Sequence, residues 1–169
     1  MRILALDISS EKTGFAFLED DLLLEYGILD IGQFKKKVGS TNYMISRFGD
    51  MVDATIKRCN PDKLIIENIY LGKNLSTVLL LAMLAGVARY VGYGNKVECY
   101  KIFPKSVEVY LGISSEKLKR DIRKQRIVDK VNEKHKLKLS LSDNDIADAI
   151  SMGECAMYKL NHGEVLEMI

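Results

Sequence analysis

Ile3-Leu4-Ala5-Leu6-Asp7 is a run of four apolar residues closed by an acid, and Leu64-Ile65-Ile66-Glu67 repeats that pattern sixty residues on. Each run is short, apolar on successive residues and bounded by polar positions, as a strand buried on both faces requires. Acids are depleted in strands, and a carboxylate at a buried strand end needs a partner or a cation. If the two strands are neighbours in one sheet, Asp7 and Glu67 leave it at the same edge, where open α/β sheets place their sites.

The chain around these runs organises itself by period. Arg2 to Ile8, Phe15 to Leu18 and Leu22 to Ile28 read as three strands, with Asp20-Asp21 at a turn, which implies an antiparallel meander. Ile45, Phe48, Val52 and Ile56 recur at helical spacing within Tyr43 to Cys59, and Asn60-Pro61-Asp62 ends that helix. Lys63 to Glu67 is a strand, Leu75 to Tyr93 an apolar helix, and Lys96 to Tyr100 a fifth strand. Pro104 opens a short helix to Leu111, and Ser115 to Glu133 reads as a long charged helix. Ser142-Asp143-Asn144-Asp145 has the form of a capping box that starts a last helix running to about Leu160. Strands separated by helices pair in parallel through right-handed crossovers. The expectation is an α/β fold: a five-stranded mixed sheet, three antiparallel strands plus two parallel, with helices on both faces, in one domain over residues 1–169.

Asp145 and Asp148 complete the acidic set. They stand three apart, on one helix face, flanked by Ile146, Ala147, Ala149, Ile150 and Met152. Asp145 alone also suits the acid of a capping box, and Asp143 competes with it as a ligand. Asp148 falls in the apolar part of the helix and has no such second use. Two neighbouring acids repel unless a cation lies between them. Hard oxygen donors without a Cys or His cluster favour Mg²⁺ or Mn²⁺ over zinc.

Bulk properties narrow the partners. Net charge is only +2, but residues 101–138 carry 12 Lys/Arg against 5 Asp/Glu, a surplus of +7 that leaves −5 for the remainder. A basic segment on a near-neutral chain suggests the electrostatic footprint of a polyanion, with a pair of solvated helix faces as the alternative. The three cysteines, Cys59, Cys99 and Cys155, show no CxxC spacing, which fits a reducing, cytoplasmic compartment. Met1-Arg2-Ile3-Leu4 runs into a strand without the apolar region of a signal peptide. Leu75 to Val91 is about a turn short of a comfortable membrane span and contains Gly86 and Arg89, so no membrane partner is expected. Neither His135 nor His162 is assigned a role, since both sit in polar surroundings expected to be exposed.

The ordered set of motifs resembles the RuvC-type Holliday junction resolvases of the RNase H-like superfamily. The resemblance is carried by Ile3-Leu4-Ala5-Leu6-Asp7 with Thr13-Gly14, by Ile65-Ile66-Glu67-Asn68-Ile69-Tyr70, and by Gly86-Val87-Ala88. It continues in Leu111-Gly112-Ile113 with Ser115-Glu116-Lys117 and ends in Asp145-Ile146-Ala147-Asp148-Ala149-Ile150. It implies a homodimeric endonuclease for four-way junctions and other branched DNA, with Asp7, Glu67, Asp145 and Asp148 holding two Mg²⁺ ions. Tyr70 matches a family aromatic that reaches the junction centre, and Lys105 and Lys117 lie near family lysines of the scissile region. Lys73, Lys119, Arg120 and Arg123 are candidate backbone contacts by charge alone, with a solvated helix face as an equal alternative. The apolar helix from Leu79 to Val91 is the candidate dimer face. The family often has Pro-Gly after its first acid, whereas this chain has Ile8-Ser9. The short form is similar to versions encoded by phages or large DNA viruses. Two alternatives stay open: an RNA-processing nuclease of the same fold, of the ribosomal RNA maturation type, and an inactive nucleic-acid-binding dimer.

Overall fold

β1 (Arg2–Asp7) forms because Ile3, Leu4, Ala5 and Leu6 need apolar cover on both faces, and all four are fully buried. A computed structural model of the protein describes residues 1–34, 40–69, 74–113 and 118–169. β2 (Lys12–Glu19) and β3 (Leu22–Asp30) continue from β1 as an antiparallel meander. The tight turn between them places Asp20 in the left-handed region, at φ 44°. β4 (Lys63–Glu67) pairs with the other side of β1 in parallel, and β5 (Glu98–Ile102) pairs in parallel with β4.

The sheet has six strands, not the five expected, in the order β3-β2-β1-β4-β5-β6. β6 (Glu167–Met168) is antiparallel to β5, and two residues are too few to show alternation in a sequence. β5 also begins two residues later than its pattern suggests. Lys96 belongs to a tight turn, at φ 60°, that follows the preceding helix.

Two apolar layers sandwich the sheet. Ile3, Ala5, Ala16, Leu18 and Ile65 face α3 (Pro104–Tyr110), α4 (Arg120–His135) and α5 (Asn144–Asn161). The alternate set, Leu4, Leu6, Phe15, Phe17, Leu64 and Ile66, faces α1 (Thr41–Cys59) and α2 (Leu75–Gly94). Ser40 caps α1, accepting from the Tyr43 amide at 3.3 Å, and Asn60 ends it in the left-handed region. Met44, not Ile45, takes the first buried position, ahead of Phe48, Val52 and Ile56.

α2 has 20 residues and is long and apolar enough to cross a membrane, so the expectation of a helix one turn too short is corrected. It is nonetheless the crossover between adjacent parallel strands, with Leu84, Ala85 and Ala88 buried against the sheet layer. A segment returning to the same sheet in that way cannot span a bilayer.

The start of α5 also differs from expectation. The capping box is Ser140 with Asp143, two residues upstream of the one read from the sequence, and it closes a single 3₁₀ turn over Leu141–Asp143. α4 begins at Arg120, and residues 114–117 lie outside the described part of the chain.

α5 lies directly on β2. Gly14 faces its first turn so closely that a Cβ there would stand 1.9 Å from the Asp145 carbonyl oxygen. Backbone atoms cannot rotate away as a side chain can. Gly14→Ala is therefore expected to cost about 1–3 kcal/mol as an overpacked contact, read as a lower urea midpoint. An unchanged midpoint would contradict this seating of α5.

Candidate active site

The parallel register pairs Ala5 with Ile65 and Leu6 with Ile66, so Asp7 and Glu67 leave the sheet side by side. Side chains alternate along a strand. Asp7 continues the Ile3-Ala5 set and Glu67 follows Ile65, which turns both acids toward α5. Opposite Asp7 in the antiparallel pair stands Gly14, whose missing side chain admits the first turn of α5. That turn delivers Asp145 and Asp148 on one helix face.

One carboxylate oxygen from each of Asp7, Asp145 and Asp148 lies within 4.8 Å of the others. Glu67 stands beside this trio. With Asp148, Glu108, Arg123 and Lys124 it lines a cavity of about 80 Å³.

Electrostatics record the crowding. Burial, then the charges of Asp148, Glu67 and Asp145, holds the Asp7 carboxyl well above the usual carboxylate range. Glu67 is pushed up to about 7, first by burial and then by Asp148, with Arg123 and Lys124 opposing. Burial raises Asp148 to about 6 against the pull of Lys124, Arg123 and Arg120, with Asp145 adding to the rise. Oxygen-only donors, massed and half desolvated, are the chemistry of a hard divalent cation site.

The remaining expected site residues divide. Lys119 and Arg120 are exposed at the start of α4. Arg123 reaches the acidic cavity but is paired with Glu108 at 2.7 Å. Lys105 lines a separate groove with Tyr110, Tyr158 and Lys159, on the side of α3 away from Glu67. Tyr70, Lys73 and Lys117 lie outside the described residues.

Two neighbours of the acids escape sequence reasoning. Lys124 Nζ donates to Asn144 Oδ1, and Asn144 Nδ2 donates to Asp145 Oδ1 at 2.5 Å. The available signal was a lysine at 124 in step with the apolar positions 127, 128 and 131.

His135 also departs from expectation. It is not exposed: its Nε2 lies 2.7 Å from the buried Glu154 carboxylate, which also accepts from Lys134 at 2.7 Å. Lys134 in turn donates to the Tyr110 hydroxyl at 3.2 Å. An acid deep in α5 thus ties α3 and α4 to it. His162 is exposed, stacked on Tyr158 with ring centroids 4.0 Å apart.

A mixed sheet of this order, with acids gathered where its parallel strands end, defines an RNase H-like protein with a carboxylate centre. Its architecture matches Thermus thermophilus RuvC in complex with Holliday junction substrate, with a TM-score of 0.82 over 100% of this chain and 99% of that one at 13% identity. The yeast mitochondrial Holliday junction resolvase Ydc2 gives 0.64 over 95% and 82% at 14% identity.

The family model described as crossover junction endodeoxyribonuclease RuvC matches residues 3–156, and the chain belongs to that family. RuvC of Halothermothrix orenii is 26% identical over 169 residues, covering 95% of this chain and 96% of its own. RuvC of Fusobacterium nucleatum is 26% identical over 157 residues, covering 90% and 77%.

The raised carboxyls give a pH prediction for the metal-free protein. A carboxyl whose folded pKa lies above its unfolded value near 4 stabilises the fold most at low pH. That contribution disappears as pH rises through about 6 for Asp148 and about 7 for Glu67. In EDTA, Glu67→Gln should therefore gain thermal stability relative to wild type between pH 5 and pH 8. A melting-temperature difference that stays flat over this range would contradict the assigned strain.

Proposed function

We propose that the protein is a divalent-metal-dependent endodeoxyribonuclease that resolves Holliday junctions and related branched DNA by paired nicks. The observation that carries this reading is the convergence of Asp7, Asp145 and Asp148 oxygens within 4.8 Å at the sheet edge, in a chain of the RuvC family. Mg²⁺, with Mn²⁺ as its substitute, is the cation this donor set fits. Two such ions, when bound, would supply an activated water and charge neutralisation at the leaving oxygen of a phosphodiester.

The chain's own residues do the rest. Asp7, Asp145 and Asp148 are one ligand group, and Glu67, beside Asp7 and Asp148, extends it to a second position. Lys119 and Arg120, exposed at the start of α4, reach toward phosphates of the bound strand. Arg123 and Lys124 offset the acids' charge at the cavity wall. Tyr70 stacks on bases unpaired at the branch point, Lys73 adds a backbone contact, and Lys117 serves the scissile region. The short chain acts as one nuclease domain over residues 1–169, of a type similar to phage or viral versions.

The exposed face of α2 supports a homodimer. Leu75, Leu79, Met83, Tyr90 and Tyr93 are all exposed at spacings that share one helix face, and Tyr90 is 80% accessible. Such a row on a crossover helix marks a contact surface. A substrate with two-fold symmetry suits two copies of one site.

Asp7→Asn and Glu67→Gln should each reduce Mg²⁺-dependent nicking of a synthetic four-way junction by at least about 10³-fold, the scale set by losing charge stabilisation at a reacting centre. Gel-shift affinity for the junction should change less than threefold. Near-normal nicking by either variant would end the assignment.

Leu79→Glu with Met83→Glu should convert a dimer to a monomer in sedimentation equilibrium. A wild-type protein already monomeric at micromolar concentration would refute the proposed face.

A further inference from the structure

α4 buries Ile127, Val128 and Val131, and Lys124 completes the same i, i+3, i+4, i+7 stripe. A lysine in an inward position of a helix packed on α5 needs an acceptor. Its Nζ can only donate, so the Asn144 atom facing it is Oδ1 and the amide is held one way round. The Nδ2 group is thereby aimed at Asp145 Oδ1, at 2.5 Å.

Adjacent residues on a helix do not face each other. A bond between the side chains of Asn144 and Asp145 therefore needs an outside anchor, and Lys124 supplies it. Asn144 is not engaged in capping, because the capping box of the preceding 3₁₀ turn is built from Ser140 and Asp143. Its amide serves the acid beside it.

We infer that Asn144 is a positioning residue of the metal centre: a Lys124–Asn144–Asp145 relay fixes the rotamer of the Asp145 carboxylate that faces Asp7 and Asp148. The inference rests on the metal-centre reading above. The relay links the basic helix to the acidic cluster through a chain of directed donors, so α4 sets ligand geometry as well as surface charge. Hydrogen-bond partners of ligating carboxylates typically change metal affinity by about 10–100-fold when removed.

The test is calorimetric titration of the full-length protein with MnCl₂, without DNA. Asn144→Ala should weaken Mn²⁺ binding about tenfold relative to wild type. Lys124→Met removes a cation from beside the acids, which by charge alone would tighten Mn²⁺ binding. Through the relay it leaves Asn144 unanchored, so adding Asn144→Ala to Lys124→Met should change affinity less than twofold further.

Wild-type affinity in Asn144→Ala overturns the relay, and so does a full tenfold effect of Asn144→Ala that persists in the Lys124→Met background. Failure of the wild-type protein itself to take up Mn²⁺ overturns the metal-centre reading and the relay with it. Asn144→Leu, close in volume and lacking the donor, carries the same titration if the alanine variant melts early.

Discussion

Mutual repulsion among carboxylates held out of water is the constraint around which the rest of this structure is arranged. Asp7, Glu67 and Asp148 are each displaced upward from ordinary carboxylate behaviour, first by burial and then by neighbouring acids: Asp148, Glu67 and Asp145 around Asp7, Asp148 beside Glu67, and Asp145 beside Asp148. Such a cluster persists only where the surrounding scaffold outweighs its cost. The parallel pairing of β1 with β4 fixes two of the acids through a ladder of fully buried apolar residues. Lys124 of α4 opposes the rise at all three acids, joined by Arg123 at Glu67 and Asp148. Charge compensation by lysine and arginine is partial, which leaves the centre receptive to a harder and more compact cation.

α5 joins the two halves of this arrangement. From Ile146 to Met157 it is almost wholly buried, so its position is set by packing and not by the acids it carries. Gly14 lets its first turn approach the sheet, and Glu154 fastens α3 and α4 to its second half. A shift of α5 would therefore register in the core and at the carboxylates together. Core packing and site geometry are two readings of one helix placement.

Much of this was legible before any coordinates. The two apolar runs ending in acids gave strands at nearly the right bounds, because burial on both faces leaves a strong and local signal. Asp148 could be singled out because it breaks an apolar stretch. What the sequence did not yield were relations between elements. The capping acid is Asp143 and not Asp145, since which serine caps depends on where the chain turns. His135 read as a surface residue because its partner Glu154 is 19 residues away on another helix. Lys124 was lost among the many cations of its segment, and only the packing of α4 on α5 distinguishes it. Lys105 faces away from Glu67 because α3 presents Pro104, Val107 and Glu108 to the Glu67 cavity and its opposite face, with Lys105 and Ser106, to Tyr158 and Lys159 of α5. β6 is too short to carry a pattern of its own.

That short strand has an outsized effect on colloidal behaviour. Without it, β5 would present a free ladder edge, and such edges recruit other chains into intermolecular sheets. Glu167 and Met168 occupy the edge, the Ile169 backbone N–H donates a hydrogen bond to the Cys99 carbonyl at 2.9 Å, and Lys101 pairs with Glu167 at 2.6 Å. A guard of three residues at the tail of the described chain is inexpensive to make and easily lost. Trimming or fusing this tail therefore risks a protein whose centre is intact but which precipitates through its uncovered flank.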